Sequence, residues 1–295
     1  MRKERIMKYY CGPKKRKKYF EGWYFKHASR DLKIAFIPSI SVLDGEKKAY
    51  VQVISNLFSD CFEFPPEDFS ADDKSLSIKI GNNHFSERGI NINLTNPKHE
   101  IKADLKYSEL LIPKNIMGPF KYFPKMECVH SIFSMKHSVY GSISLNGREY
   151  FFYDDLGYIE GDRGASFPEK YVWIQGNDLP NGAFSLSIAT IPLGPFKFTG
   201  LIALLYVGTK EYRFATYNNT KIIKNAEDHI RLKKGKLLLD VFIRTGKSFM
   251  LSAPIKGLMA RRVWESMDAE IEIALSEKGV TIYRGIAKNA SVERG

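Results

Sequence analysis

Short segments of alternating apolar and polar residues run along most of the chain, separated by residues that favour turns. Segments of this kind, rich in β-branched and aromatic residues, predict β-strands. The predicted strands are 33–39, 49–56, 75–80, 90–94, 100–107, 138–145, 150–153, 171–175, 183–190, 201–207, 211–217, 236–244, 248–252, 270–275 and 281–287. Because helical spacing of apolar residues is almost absent, the pattern predicts an all-β protein.

One pair of turn residues predicts a tight hairpin. Asn146-Gly147 lies between the predicted strands 138–145 and 150–153. A two-residue Asn-Gly loop favours positive backbone φ angles, which match the right-handed twist of paired strands. We therefore expect these two segments to pair as antiparallel neighbours.

The number of strands bears on the domain organisation. About fifteen strands are more than one small barrel needs to close, so we expect two tandem antiparallel β-barrels or sandwiches. The division is placed near 155–157. On this interpretation residues 1–18 are a basic N-terminal tail, 19–156 the first β-barrel domain and 157–295 the second.

Composition fits a folded protein and narrows its class. The chain has 295 residues, of which 44% are apolar, enough for a sizeable core. Its three cysteines, Cys11, Cys61 and Cys128, are widely spaced, and its six histidines show no metal-ligand spacing, so neither a disulfide scaffold nor a metal site is predicted. This use of cysteine favours a cytoplasmic location. No apolar run reaches the ~18 residues of a transmembrane helix, so none is predicted.

Basic residues outnumber acidic ones, which gives a formal net charge of +12. Such a charge attracts polyanions, of which membrane surfaces and nucleic acids are the usual two. The densest basic run is Lys14, Lys15, Arg16, Lys17 and Lys18. It predicts peripheral contact with an anionic membrane surface or, alternatively, a solvated tail. Nucleic acid is not expected as a partner, because the basic residues are not interleaved with rings in a recognition motif.

The segment 157–177 combines ionisable and aromatic residues in an unusual way. It carries two carboxylates close together, Glu160 and Asp162, and the rings of Tyr171 and Trp173, joined by glycines. This combination suits a site that binds and protonates an apolar substrate. A glycine-rich turn with its charges in solvent is the alternative interpretation.

A second dense motif is Tyr19-Phe20-Glu21-Gly22-Trp23-Tyr24-Phe25-Lys26. On a strand, Glu21 and Trp23 would share one face and Tyr24 would lie on the other. Burial beside Trp23 would raise the pKa of Glu21 and keep its carboxyl protonated. Alternatively, the segment is an edge strand in which Glu21 pairs with a lysine and the rings fill the core.

Three blocks of the chain resemble the signature blocks of the tocopherol cyclase family, in the order of that family. They are the motif 19–26, the block Ser166-Phe167-Pro168-Glu169-Lys170-Tyr171-Val172-Trp173-Ile174-Gln175-Gly176-Asn177, and Ala253-Pro254-Ile255-Lys256-Gly257-Leu258-Met259 continuing to Glu265-Ser266. The resemblance spans nearly the whole chain. It implies an all-β fold of two tandem lipocalin-like antiparallel β-barrels, related to carotenoid hydratases.

The resemblance also implies an activity, the closure of a chromanol ring. The alkene of a prenylated hydroquinone is protonated, and the phenolic oxygen captures the tertiary cation without a redox cofactor. Such chemistry requires a neutral carboxylic acid in a dry cavity, aromatic faces near the cation and polar anchors for the quinol head.

Residues of each required type are present. The candidate acids are Glu160, which the resemblance favours, Asp162 and Glu21. The candidate substrate-binding residues are Trp23, Tyr24, His137, Lys170, Tyr171, Trp173, Gln175 and Asn177. An ion pair between Asp162 and Arg163 would hold an acid ionised and unable to donate. In that case the protein would be a non-catalytic carrier of a lipid or another hydrophobic ligand.

Overall fold

The computed structural model describes residues 8–14, 16–122, 126–193 and 196–295. Residues 1–7 and Lys15 of the predicted basic tail lie outside this part of the chain. Within it the regular structure consists of β-strands and three short 3-10 helices, at Pro66–Asp68, Gly118–Tyr122 and Thr216–Asn218. The predicted all-β class is confirmed. Among the described residues, no helix has the length and apolar character to span a bilayer.

The first half of the chain forms one antiparallel sheet of eleven strands. They are β1 (Lys18–Ala28), β2 (Lys33–Leu43), β3 (Glu46–Ser55), β4 (Ser59–Phe64), β5 (Phe69–Ala71), β6 (Ser77–Ile80), β7 (Asn83–Ser86), β8 (Gly89–Thr95), β9 (Glu100–Tyr107), β10 (Cys128–Leu145) and β11 (Arg148–Gly164). Their hydrogen-bonded order is β4-β3-β2-β1-β11-β10-β9-β8-β7-β6-β5. The strands β1, β11 and β10 therefore lie at the centre of this sheet.

The second half forms a sheet of ten strands. They are β12 (Tyr171–Gly176), β13 (Gly182–Leu193), β14 (Phe196–Val207), β15 (Lys210–Ala215), β16 (Lys221–Asn225), β17 (His229–Lys234), β18 (Leu237–Arg244), β19 (Ser248–Ile255), β20 (Leu258–Glu277) and β21 (Val280–Arg294). Their order is β15-β14-β13-β12-β21-β20-β18-β17-β16, and β19 pairs with β20 beside this path.

The hairpin predicted at Asn146-Gly147 is confirmed. Leu145 pairs with Arg148 across the turn. Asn146 and Gly147 have φ angles of 51° and 81°, which suit an asparagine and a glycine in a primed turn.

Strand β11 continues through the predicted domain boundary. Its residues from Gly157 to Gly164 pair with β1 and with β10, so they lie in the first sheet. The segment 157–177 is therefore divided between β11, a strand of the first sheet, and β12, a strand of the second.

Three apolar clusters form the core. One contains residues from most strands of the first sheet, and another contains residues from most strands of the second, so each sheet curls round an interior of its own. The third cluster combines residues of both sheets, among them Tyr24, Tyr158 and Trp173, and marks the junction between the two. On β1, Trp23 and Phe25 point into the first interior while Tyr24 points into the junction.

Candidate active site

A cavity of about 180 Å³ lies at the junction between the two sheets. This is about twelve times the ~15 Å³ that a single water requires, so the cavity has room for an organic ligand. Its walls are largely apolar and aromatic, with Phe20, Ile37, Phe120, Phe167, Leu201 and Val263 among the lining residues. The polar groups of the lining include several carboxyl groups. Burial in an apolar cavity disfavours their ionised form.

Glu160 on β11 is a buried carboxyl that lines the cavity. Its Oε2 accepts hydrogen bonds from the Tyr158 hydroxyl at 2.5 Å and from the Trp173 indole Nε1 at 3.0 Å. Burial raises the pKa of Glu160 to about 7, although His130 and the two hydrogen bonds act in the opposite direction. The carboxyl is therefore about half protonated near neutral pH.

His130 on β10 lies between two carboxylates. Its Nδ1 is 3.1 Å from Asp162 Oδ1, and its Nε2 is 3.5 Å from Glu160 Oε2. Burial lowers the pKa of His130, but the two carboxylates outweigh that effect and raise it to about 9. The imidazole is therefore charged at neutral pH, and it stabilises the ionised form of Glu160.

One ring nitrogen of His130 and one carboxylate oxygen each of Glu160 and Asp162 lie within 4.8 Å of one another, a spacing that could also hold a metal ion. The contacts within this group are those of side chains that share protons. His130 is hydrogen-bonded to Asp162, and Glu160 accepts from a phenol and an indole. We therefore interpret the group as an acid with its supporting charges.

Two further carboxyls line the cavity from the second sheet, Glu265 on β20 and Glu293 on β21. Tyr24 donates a hydrogen bond to Glu265, and Tyr171 donates one to Glu293. Burial raises the pKa of Glu265 to about 8 and that of Glu293 to about 7. The two carboxyls are opposite each other on paired strands. Because two ionised groups there would repel, the pair retains a proton near neutral pH.

A buried lysine lies behind this wall. Lys26 Nζ donates to Gln175 Oε1 at 3.0 Å and to the Asn289 carbonyl at 2.7 Å. Burial lowers its pKa to about 8, with Glu265 acting in the opposite direction. Gln175, predicted to bind substrate, is thus fully buried as a partner of Lys26 and does not line the cavity.

One side chain of the first sheet holds the hairpin β19–β20 over the cavity. Gln52 on β3 donates from Nε2 to the Ser252 carbonyl at 3.0 Å and accepts at Oε1 from the Ser252 amide at 2.9 Å. These two hydrogen bonds satisfy the backbone N–H and C=O of Ser252 on β19, which face the first sheet. They therefore connect the two sheets across the cavity.

Five residues predicted from the sequence meet at the cavity. Tyr24, Glu160, Asp162, Tyr171 and Trp173 all belong to its lining, although they come from three strands in two sheets. The Tyr24 and Trp173 rings are in edge contact, with centroids 5.4 Å apart. The structure thus brings together two candidate acids and three candidate aromatic walls.

Glu21 and Trp23 lie elsewhere, on the opposite face of β1. Glu21 is buried and accepts hydrogen bonds from the Tyr19 hydroxyl and from the backbone amides of Cys11 and Gly12. Burial raises its pKa, as the sequence predicted, but neither Glu21 nor Trp23 lines the cavity. In this structure Glu21 holds the segment before β1 against the first sheet.

The other predicted contacts also lie outside the cavity lining. His137 is buried beside Ser134, and burial lowers its pKa to about 3. The Asn177 side chain donates from Nδ2 to the Gly157 carbonyl at 2.8 Å, which connects the two halves of the chain. Lys170 is exposed.

Three residues of the site were not predicted from the sequence, namely His130, Glu265 and Glu293. Glu265 belongs to the third family block, and His130 is one of the six histidines that show no metal-ligand spacing. Glu293 follows the last predicted strand, which ended at residue 287, whereas β21 extends to Arg294. Continuing the alternation through Ser291 and Glu293 would have placed this carboxyl on a buried face.

Several solved structures are similar to this chain over most of its length. A protein of Nitrosomonas europaea described as an AttH aligns over 93% of this chain and 92% of its own, with 13% identity and a TM-score of 0.53. CghA with Sch210972 aligns over 94% and 88%, with 8% identity and a TM-score of 0.58. Kievitone hydratase from Nectria haematococca aligns over 94% and 87%, with 11% identity and a TM-score of 0.50.

The chain shares the fold of these proteins. The lipocalin-like architecture expected from the sequence is thereby confirmed. No protein-family model and no curated protein sequence matches the chain. At these identities the likeness concerns the fold, and the chemistry has to be argued from the site itself.

Proposed function

We propose that the protein is an enzyme that protonates an alkene in a long apolar substrate and closes a ring without any change of redox state. The substrate class is a prenylated hydroquinone or a related prenyl lipid, and the product is a chromanol. One observation carries the proposal: Glu160 is a carboxyl buried in the lining of an aromatic-walled cavity, where burial raises its pKa to about 7. An acid of that pKa is matched to proton donation at neutral pH.

The contacts of Glu160 suit both its protonated form, before proton transfer, and its ionised form afterwards. The groups that approach it, Tyr158, Trp173 and His130, are directed at Oε2. Oε1 is the oxygen left to carry the proton that is transferred. When the proton leaves, the two hydrogen bonds and the imidazolium stabilise the carboxylate, which lowers the energy of the charge-separated state.

The cavity also supports the cationic intermediate. Protonation of the alkene forms one C–H bond and leaves a tertiary cation, which the faces of Tyr24, Tyr171 and Trp173 can stabilise. Attack by the phenolic oxygen forms the C–O bond. The phenolic proton then restores the acid, so the reaction is an isomerisation that consumes no proton.

Asp162 does not form the ion pair with Arg163 that would have favoured a carrier. Asp162 Oδ1 is bonded to His130 Nδ1 and to the Cys128 thiol. Arg163 alternates to the other face of β11 and acts on Glu21. The positive charge beside the acid is therefore an imidazolium, which can exchange protons, rather than a guanidinium, which cannot.

The proposal is tested by incubating the purified protein with prenylated hydroquinones in D2O. Ring closure started by protonation places one non-exchangeable deuterium on the former alkene carbon, which mass spectrometry detects. We expect a deuterated chromanol from the wild type. Addition of water without ring closure would show a hydratase. Saturable ligand binding, followed by tryptophan fluorescence, with no product would show a carrier and overturn the proposal.

A further inference from the structure

The hairpin formed by β19 and β20 has an unusual charge. From Lys247 to Trp264 it contains four basic residues, Lys247, Lys256, Arg261 and Arg262, and no acidic residue. The next acid along the chain, Glu265, is buried at the cavity and is 1% exposed. We call the segment 247–264 the cationic hairpin.

The two faces of the cationic hairpin differ in what they contact. Its inner face lines the cavity with Leu251, Ala253, Met259 and Val263. Its outer face exposes four large apolar side chains, Met250, Ile255, Leu258 and Trp264, at 38%, 41%, 45% and 58%. They form two cross-strand pairs, because Met250 is opposite Trp264 and Ile255 is opposite Leu258. The hairpin thus combines exposed apolar groups with three exposed cations, Lys247, Lys256 and Arg262. Its fourth basic residue, Arg261, is half-buried and donates to the carbonyls of Pro168 and Glu169.

The tip of the hairpin lies against the basic start of β1. The Gly257 amide donates to the Ala165 carbonyl at 2.9 Å. A Cβ on Gly257 would be only 2.3 Å from the Val42 carbonyl oxygen, so the tip approaches the β1–β2 pair closely. Lys17 and Lys18 are exposed at that point.

The nearby β2–β3 turn adds charges of both signs. Its exposed acids are Asp44 and Glu46, and its exposed bases are Lys47 and Lys48. These four charges balance one another. Lys17, Lys18 and Lys256 of the hairpin therefore remain as a positive excess around the tip.

We propose that the cationic hairpin docks on an anionic lipid bilayer and so presents the cavity to the membrane. Lysine and arginine bind anionic headgroups, each contributing about fivefold in partitioning. Exposed Trp and aliphatic side chains enter the boundary between headgroups and acyl chains. A nucleic acid would engage the cations but would leave Ile255 and Leu258 without a partner. The inference rests on the proposed function only in that the ligand of the cavity is a lipid.

The test is co-sedimentation of the full chain with sucrose-loaded vesicles. We expect binding to phosphatidylcholine vesicles that contain about 30 mol% phosphatidylserine, little binding to pure phosphatidylcholine, and release by salt. Partitioning onto the anionic vesicles should be about tenfold weaker, or weaker still, for the double variant Ile255→Ser/Leu258→Ser and for the variant Lys256→Glu. Circular dichroism checks that both variants are folded.

A matched control removes exposed apolar groups from another surface. Phe151 and Tyr153 on β11 are 75% and 87% exposed and do not line the cavity. The variant Phe151→Ser/Tyr153→Ser should bind vesicles as the wild type does. Equal losses in control and hairpin variants, or no wild-type binding to the anionic vesicles, would overturn the docking proposal. So would tight retention on DNA together with vesicle binding that the hairpin variants leave unchanged. Vesicle binding without chromanol formation would leave docking standing and remove only the proposed reaction.

Discussion

Replacing Glu160 with glutamine removes the proposed acid while nearly preserving the size of the side chain. Glutamine keeps a carbonyl oxygen that can accept from Tyr158 and from Trp173, so the local hydrogen bonds can persist. Its N–H protons are not acidic at any accessible pH, so it cannot protonate an alkene. The substitution therefore separates proton donation from the packing of the cavity wall.

The expected loss follows from the pKa. Burial raises the pKa of Glu160 from 4.5 to about 7. At pH 7 about half of the molecules then carry the proton, compared with ~0.3% for an unshifted acid, a gain of about 150-fold in available acid. General acids contribute ~10²–10⁴-fold to rates. We expect kcat for chromanol formation in Glu160→Gln to fall by about 100- to 10,000-fold at pH 6.

The pH dependence provides a second measure of the same perturbation. The acid must be protonated to donate, so wild-type kcat should be highest below pH 7 and fall about tenfold per pH unit above it. The residual rate of Glu160→Gln should lack this decline. Glu149→Gln, at an exposed position of the same strand, is the matched control and should behave as the wild type. If Glu160→Gln keeps more than about a tenth of the wild-type kcat, or keeps the same pH profile, Glu160 is not the acid.

The remaining predictions concern the supports of the site. Trp173→Phe removes a hydrogen bond that lowers the pKa of Glu160, so the decline in kcat should move to higher pH; an unchanged midpoint would contradict this. Gln52→Ala should destabilise the fold by about 1–3 kcal/mol and speed hydrogen exchange at the Ser252 amide, whereas Ser252→Ala, which keeps the backbone bonds, should protect that amide normally. The pKa of Glu265 is about 8 when folded and 4.5 when unfolded, so its contribution to stability is complete below pH 4.5 and is lost as pH rises through 8. Melting temperatures should therefore fall between pH 5 and 8, and less so in Glu265→Gln.

Local patterns were sufficient to predict much of the fold. The alternation predicted β9 with its observed bounds, and Asn146-Gly147 predicted the hairpin that joins β10 to β11. Strands such as β5 and β7 were missed because three or four residues carry too little alternation to be distinguished from a loop. The continuation of β11 past Gly157 was missed because glycines and charges usually indicate a turn, whereas here they form a central strand beside the cavity.

The site was only partly predictable, for a geometric reason. The alternation on β1 correctly placed Glu21 and Trp23 on one face and Tyr24 on the other. Both faces are buried, so hydrophobicity could not indicate which of them borders the cavity and which borders the first interior. That distinction depends on how the two sheets pack, and no local pattern contains this information. The same holds for Glu265, whose partner Tyr24 is 241 residues away.

The strand order separates the carboxyls proposed for the chemistry from the cationic hairpin proposed to face the membrane. The carboxyls lie on central strands, whereas the hairpin lies at the margin of its sheet. Glu160, Glu265 and Glu293 belong to β11, β20 and β21, which are central strands with hydrogen-bonded neighbours on both sides. Side chains on such strands are held in place, as an acid that must meet one carbon of its substrate requires. The cavity wall of the cationic hairpin instead includes β19, which pairs with β20 alone and is connected to the first sheet by the Gln52 side chain. Because local opening is easiest where few backbone hydrogen bonds must break, we expect the cavity to open at β19, which leaves Glu160 on β11 and Glu293 on β21 with both of their neighbouring strands.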